Sequence, residues 1–183
     1  MNQLFRRKYE VCFSARGAGA LGLSFLGRDH TYALDEQMRP NWPVIEAFCE
    51  RYANQPVLIF GFTFMVWQCL LEPLRERGIQ LPLAQGILFH SGGWKKLQHL
   101  AVDNPAFKAR CRELLGLGRV HNFYGMVEQV GSIFVECEQG HLHAPVFADV
   151  QVRDPLTHQP LGIGSPGLLQ VLSAIPGSYP GHS

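Results

Sequence analysis

From position 42 onward the apolar residues switch between two rhythms. Ile45, Phe48, Cys49 and Tyr52 are spaced i, i+3, i+4, i+7, which predicts one apolar helical face. Asn41 or Trp42 can cap that helix, Pro43 suits its first turn, and Gln55-Pro56 stops it. Val57-Leu58-Ile59-Phe60 is wholly apolar, the pattern of a strand buried on both faces of a parallel sheet, and Gly61 is expected to end it. A second helix is predicted over about 63–77, bent at Pro73 and stopped by Gly78. Ile87-Leu88-Phe89 reads as the next strand, ending in the loop His90-Ser91-Gly92-Gly93-Trp94. Asn104-Pro105 gives a cap and first-turn pair for a helix with Phe107, Cys111, Leu114 and Leu115 on its apolar face; Gly116 and Gly118 end it. A third strand is predicted over 120–124, closing in a turn at Gly125. Helix and strand thus alternate three times over 41–125, which implies crossover units and a mainly parallel sheet.

Beyond that the style changes. Short strands are predicted at 133–136, 146–153 and 168–172. In the middle one Ala148, Val150 and Val152 alternate with Asp149, Gln151 and Arg153, the pattern of a half-buried strand in an antiparallel or mixed sheet. The expected organisation is an irregular, glycine-containing entry segment at 1–40, an α/β core portion at 41–130 and a β-rich portion of the same domain at 131–183. The fold class is therefore α/β: a parallel-rich βαβ sheet with flanking helices, followed by a short antiparallel or mixed β region.

Composition narrows the function classes. The chain has 183 residues, 46% of them hydrophobic and 17% charged, enough for one cored domain or large subdomain. With 16 basic and 15 acidic side chains the net charge is +1, and the longest basic stretch is Arg6-Arg7-Lys8. No nucleic-acid or anionic-membrane footprint is expected. The five cysteines are odd in number and widely spaced, with no CxxC; free thiols in a reducing compartment are the simpler reading. The first residues lack the apolar region of a secretory signal, and no apolar stretch reaches about 18 residues, so no spanning helix is expected. A cytoplasmic location follows as an expectation.

Several motifs compete for attention. Gly17-Ala18-Gly19-Ala20-Leu21-Gly22 matches GxGxxG, but Gly27 comes too soon for the helix such a motif must open, so a loop is the better reading. Cys137, His141 and His143 offer zinc-like donors, yet the paired spacing of a zinc site is missing and no fourth donor is evident; a β-turn is expected there. No GxSxG elbow occurs, so a serine hydrolase is not supported. More interesting are the turns Phe60-Gly61-Phe62-Thr63, Ser91-Gly92-Gly93-Trp94 and Tyr124-Gly125-Met126-Val127-Glu128. Each follows a predicted strand, where ligands bind in open parallel sheets. Tyr124 offers an aromatic face and Glu128 a carboxylate able to hold Mg²⁺. On residues alone, a nucleotide pocket and ordinary strand-to-helix turns remain equally open.

The same turns carry a resemblance. Asn122-Phe123-Tyr124-Gly125-Met126-Val127-Glu128-Gln129 resembles the YGxTE signature of acyl- and aryl-adenylate-forming enzymes. Ser91-Gly92-Gly93-Trp94 is similar to the glycine turn bordering adenine and the acyl pocket in that superfamily. Phe60-Gly61-Phe62-Thr63 is similar to a turn of phenylacetate-CoA ligase relatives, and the stretch from Leu161 to Leu169 to their G-x-x-G-x-L strand entry. HSGGWKKL with YGMVEQ is nearest to the LuxE-type acyl-protein synthetases of the bacterial bioluminescence fatty-acid reductase, over roughly residues 50–183.

What the resemblance implies is a portion of the N-terminal domain of an AMP-forming ligase. Such an enzyme uses ATP and Mg²⁺ to activate a fatty or aryl carboxylic acid as acyl-AMP, then passes the acyl group to a protein thiol. An acyl-CoA reductase or acyltransferase would be its protein partner. By match, Glu128 is the catalytic, Mg²⁺-binding carboxylate; Tyr124 flanks adenine; Gly92 and Gly93 line the adenine and acyl side; Gly61 and Gly125 complete the cofactor-binding set. Two alternatives stand beside it: an aryl or acyl CoA ligase of the phenylacetate type, and a non-catalytic remnant acting through protein contacts. Val127 replaces the family's hydroxyl, and the Ser/Thr/Gly-rich phosphate loop is missing. The chain also stops before the acidic residue expected on the ribose and the mobile C-terminal domain. It is therefore expected to be a fragment, inactive in isolation.

Overall fold

A computed structural model describes residues 22–126, 129, 131–175 and 181–182. The architecture is mixed α/β: a five-stranded mixed sheet, helices, and a three-stranded antiparallel sheet. Two units divide it, one reaching Val120 and one starting at His121. The first 21 residues, with all but the last glycine of the GxGxxG stretch, lie outside the described residues.

In the first unit, helix α1 (Trp42–Arg51) forms where its apolar face predicted, with Pro43 in the first turn. Ile45 and Cys49 are buried, and Phe48 and Tyr52 pack against the same core. Asn41 stands at the cap position, but its side chain makes no capping bond; its backbone carbonyl accepts from Ile45 N–H at 2.9 Å.

Strand β1 (Leu58–Phe62) corrects two expectations: it runs through Gly61 instead of ending there, and every position is half-buried. β1 pairs in parallel with β2 (Ile87–Ser91), Leu58 opposite Ile87 through Phe62 opposite Ser91. His90 and Ser91 therefore belong to a strand, not to the expected loop. The ladder partner supplies the backbone bonds that prolong both strands. β1 is also the outermost strand of the described sheet, with fewer neighbours to cover it.

The predicted helix over 63–77 is continuous but not uniform. It comprises α2 (Thr63–Val66), a π-helical stretch (Trp67–Leu71) and α3 (Glu72–Arg77). In place of a bend at Pro73, the helix widens just before it, and the Glu72 N–H reaches back five residues to the Trp67 carbonyl. Proline lacks the N–H that would bond the Cys69 carbonyl, and its ring crowds that carbonyl; a π turn relieves the conflict without a break. Gly78 then ends α3, with Gly78 N–H bonded to Arg75 O (3.1 Å) and Ile79 N–H to Leu74 O (3.0 Å), the paired bonds of a Schellman stop.

Helix α4 (Asn104–Leu115) buries Phe107, Cys111, Leu114 and Leu115, the four residues of its predicted face. Its cap is Asp103, one residue earlier than expected: the carboxylate accepts the Ala106 N–H at 2.8 Å, because a cap must lie outside the helix to reach back into its first turn. Between α3 and β2, Leu81 N–H bonds the Leu114 carbonyl (2.7 Å) and Leu83 N–H the Leu115 carbonyl (3.2 Å). The connector thereby satisfies carbonyls that the last turn of α4 leaves unpaired. A 3-10 stretch (Lys95–Leu100) links β2 to α4.

β3 (Arg119–Gly125) starts in the first unit, where Val120 joins the core. It pairs antiparallel with β4 (Ile133–Glu136), Tyr124 opposite Phe134 and Gly125 opposite Ile133. Gly125 is thus the last paired residue of the strand, not a turn. β4 pairs with β5 (Leu142–His143), a short strand without any sequence signature. β6 (Ala148–Arg153) pairs along six positions with β7 (Leu168–Ser173), and β7 with β8 (Gly181–His182). β6 begins two residues later than predicted, since Pro145 and Ala148 close a turn (2.9 Å). Its expected alternation also fails: Val150 is exposed although Val171 opposite it is buried. A single ladder partner covers one side of a residue, not the residue itself.

Phe107 is fully buried, its ring 4.4 Å from that of His90. Phe107→Ala is expected to cost about 3–5 kcal/mol, and Asp103→Ala about 1 kcal/mol, read as shifts in urea unfolding. A Phe107→Ala loss below that of Asp103→Ala would mean that α4 does not seat on this core.

Candidate functional site

In the first unit the parallel register sets Gly61 beside His90 and Phe62 beside Ser91, so the turns that follow β1 and β2 leave from the same sheet edge. Gly61 has a steric reason to be glycine. A Cβ there would lie 2.6 Å from Val66 Cγ2, and without it α2 can start two residues on. Gly92 has a conformational reason: its φ is +81°, and a Cβ would meet Phe62 Cδ1 at 3.3 Å. Nothing stands within 4 Å of the place where a Gly93 Cβ would be, so backbone is open to an approaching group there. Trp94, closing the turn, packs edge-on to Trp67 at 5.8 Å. Trp67 in turn stacks on Phe107 (6.1 Å) and lies under the Arg110 guanidinium (5.3 Å).

A buried polar pair holds this edge together. The Thr63 hydroxyl lies 2.9 Å from His90 Nδ1 and donates to the Ser91 carbonyl at 3.1 Å. Thr63 carries one proton, so donation to Ser91 leaves His90 Nδ1–H as the donor to Thr63 Oγ. The first residue of α2 is thereby tied to the last two of β2, one position before Gly92. Residue-by-residue reading passed over both side chains, Thr63 as a turn residue and His90 as one of eight scattered histidines. A polar residue directly after an apolar strand was the available signal.

In the second unit, Tyr124 is 38% exposed, its ring tilted against Phe134 at 6.1 Å. At Gly125 a Cβ would lie 2.8 Å from Ile133 Cδ1. Val127 and Glu128 fall outside the described residues, and with them the expected Mg²⁺ carboxylate. The flanks of that stretch are anchored. Gln129, buried, donates from Nε2 to the Val171 carbonyl (3.4 Å), and Ser132 Oγ lies 3.1 Å from Ser173 Oγ. Glu136, also buried, accepts the Asn122 N–H at 2.8 Å, while His121 Nδ1–H donates to the Glu136 carbonyl at 2.9 Å. These bonds hold the strand that carries Tyr124 to β4, and the motif alone gave no sign of them. Cys137 and His141 flank a tight turn: Cys137 N–H bonds His141 O (2.9 Å) and Gly140 N–H bonds Cys137 O (3.0 Å). Among the described residues no three His, Cys, Asp or Glu side chains gather as a metal site.

This arrangement of strands and helices has counterparts among solved structures. The chain is similar to ATP-bound MatB from Rhodopseudomonas palustris, at 16% identity and a TM-score of 0.50, over 70% of this chain and 24% of that one. It is also similar to the amide bond synthetase McbA from Marinactinospora thermotolerans, at 21% identity and a TM-score of 0.49, over 71% and 25%. The chain spans about a quarter of the length of these proteins, and at such identities the likeness is one of fold. No individual curated protein matches it. The fold is that of part of the MatB chain. The family is shown independently: the family model for acyl-protein synthetase, LuxE, matches residues 40–183, and the chain belongs to this family.

Thr63→Val keeps the shape of the side chain but removes the hydroxyl from His90 and Ser91. An expected loss of about 1–3 kcal/mol follows from leaving buried polar groups without that bond, with Thr63→Ser close to the parent in urea unfolding. Equal stability of the valine and serine variants would show that the pair does not tie α2 to β2.

Proposed function

We propose that this chain forms the adenine-side portion of an ATP-dependent acyl-protein synthetase. A carboxylate oxygen of a fatty acid attacks the α-phosphorus of ATP, the bond to the β-phosphate oxygen breaks, and pyrophosphate leaves. The acyl group of the resulting acyl-AMP then passes to a thiol on a protein, with AMP as leaving group. The observation that carries this reading is that the LuxE family match over residues 40–183 includes all three strand-end turns. The similar MatB structure is an ATP-bound one, which supports the choice of nucleotide.

In this reading each residue acts by position. Tyr124 stacks on adenine with its exposed face. Gly92 and Gly93 line the adenine and acyl side, where Gly93 leaves open space; Gly61 and Gly125 let backbone come close. Glu128 is assigned to Mg²⁺, which when bound offsets phosphate charge. Catalysis in such a site rests on orientation and on preorganised charge. An acyl-CoA reductase or an acyltransferase is the proposed protein partner. No helix among the described residues is long and apolar enough to cross a membrane. Among the described residues Cys49, Cys111 and Cys137 form no disulfide, which favours a reducing, cytoplasmic setting.

The 183-residue chain is proposed not to catalyse the exchange alone, since Val127 stands where the family has a hydroxyl and the phosphate loop is missing. Charge-assisted contacts are worth about 1.5–3 kcal/mol each, so losing several removes many decades of rate. Stacking supplies only about 0.5–1.5 kcal/mol. The expected dissociation constant for an adenine nucleotide is therefore on the order of 1 mM or weaker, weakened further about 2- to 12-fold by Tyr124→Ala. The measurements are nucleotide titration by NMR and carboxylate-dependent ATP–pyrophosphate exchange. Binding that ignores Tyr124→Ala would sink the adenine assignment. Robust exchange that disappears in Glu128→Ala would show the chain to be active alone. Within a longer active protein, transfer to coenzyme A in place of a protein thiol would move the assignment to a CoA ligase.

A further inference from the structure

The Gly92–Gly93 turn is gripped at both ends by one helical segment. On the strand side, the Thr63 hydroxyl bonds the Ser91 carbonyl at 3.1 Å and meets His90 Nδ1 at 2.9 Å. On the far side, Trp94 packs edge-on against Trp67, ring centroids 5.8 Å apart. Thr63 and Trp67 stand one helical turn apart, since the Trp67 N–H bonds the Thr63 carbonyl; residues four apart share a helix face. Phe107 backs both anchors from α4, its ring 4.4 Å from that of His90 and 6.1 Å from that of Trp67. Thr63, His90 and Ser91 are buried, and Trp67 and Trp94 are half-buried. Gly92 and Gly93, between the two anchors, are exposed. The π-helical stretch begins at Trp67 itself, and such turns are frequent at functional sites.

We propose that Thr63 and Trp67 are positioning residues for the ligand side of the Gly92–Gly93 turn. They act through His90, Ser91 and Trp94 and touch no ligand themselves. Two successive glycines bring little conformational restraint of their own. A turn that must present its backbone at one place therefore needs both flanks fixed from outside. The Thr63 bond fixes one flank by direction, and the Trp67–Trp94 contact fixes the other by shape. A turn held in this way stands in its binding arrangement before a ligand arrives, which removes an ordering cost from association. One anchor is polar and the other aromatic, so each can be removed alone. The inference rests on the adenylate reading for the nature of the ligand, an adenine nucleotide.

The test is a titration of the 183-residue chain with ATP, followed by NMR at the Gly92 and Gly93 amides. A saturable shift of both amides is expected in the parent chain. Thr63→Val removes the hydroxyl and Trp67→Leu removes the ring. Each is expected to weaken ATP binding about threefold, the loss when the binding arrangement is populated only one-third of the time. Thr63→Ser and Trp67→Phe keep the hydroxyl and an aromatic ring, and should restore the parent affinity. Asp103→Ala, which uncaps α4 without touching either anchor, should unfold at lower urea with its affinity unchanged; this separates positioning from stability. In the parent chain the ring-nitrogen chemical shifts of His90 should show the proton on Nδ1. Parent affinity in either folded Thr63→Val or folded Trp67→Leu would overturn the proposal and leave the adenylate reading standing. Gly92 and Gly93 amides that ignore ATP in the parent chain would end the adenylate reading at this turn, and the proposal with it. If the valine and leucine variants do not fold, a folded Thr63→Ser chain that loses ATP binding, or a His90 ring protonated on Nε2 alone, would overturn the proposal.

Discussion

Much of the first unit rests on one constraint, that backbone polar groups taken out of water must be paired. The last turn of α4 leaves carbonyls pointing past Leu115, and the connector before β2 answers them through Leu81 and Leu83 N–H. That docking fixes the connector, and four residues later Ile87 N–H meets the Val57 carbonyl at 2.9 Å to open the parallel ladder. The start of β2 in turn sets where it ends, and hence where the Gly92 turn stands against the end of β1. A packing decision at the C-terminus of a helix is thus transmitted, bond by bond, to the edge where the glycine turns lie.

The second unit solves a similar problem with side chains. Ahead of β4, Gln129 bonds the Val171 carbonyl and Ser132 meets Ser173, both on β7. Glu136 ties β4 back to β3 through Asn122. Buried amide, hydroxyl and carboxylate groups cost free energy unless they are hydrogen-bonded, so each fixes one arrangement of strands. The described residues that touch a ligand in the proposed function are glycines and one exposed tyrosine. The groups that hold these in place are the polar ones.

The glycines of the proposed site are therefore not interchangeable. Gly61 is small because Val66 leaves no room, and Gly92 because its φ is positive. Gly93 meets neither demand, and open space beside it is what a ligand-facing position needs. A glycine required by the fold and a glycine available to a ligand look alike in a motif; surroundings separate them.

Apolar pattern together with cap and breaker residues located α1, the helix over 63–77, α4 and the strands near 58, 87, 120, 133 and 168, because an element must both bury apolar residues and start and stop where its ends can be satisfied. Motif likeness was enough to point to the family, since Tyr124-Gly125 and Gly92-Gly93 are local in sequence. What periodicity could not supply were facts that depend on a partner far along the chain. The extension of β1 and β2 to Phe62 and Ser91 needed each other's backbone. The π turn before Pro73 needed the continuity of the helix on both sides. The exposure of Val150 needed knowledge of what does not cover it. The Thr63–His90 bond joins residues 27 apart in sequence, and the Glu136–Asn122 bond joins strands that pair only after the chain has turned back. Local sequence states which faces are apolar and where the chain can turn; only tertiary structure decides which buried polar groups find one another, because a hydrogen bond depends on distance in space and leaves no period in the chain.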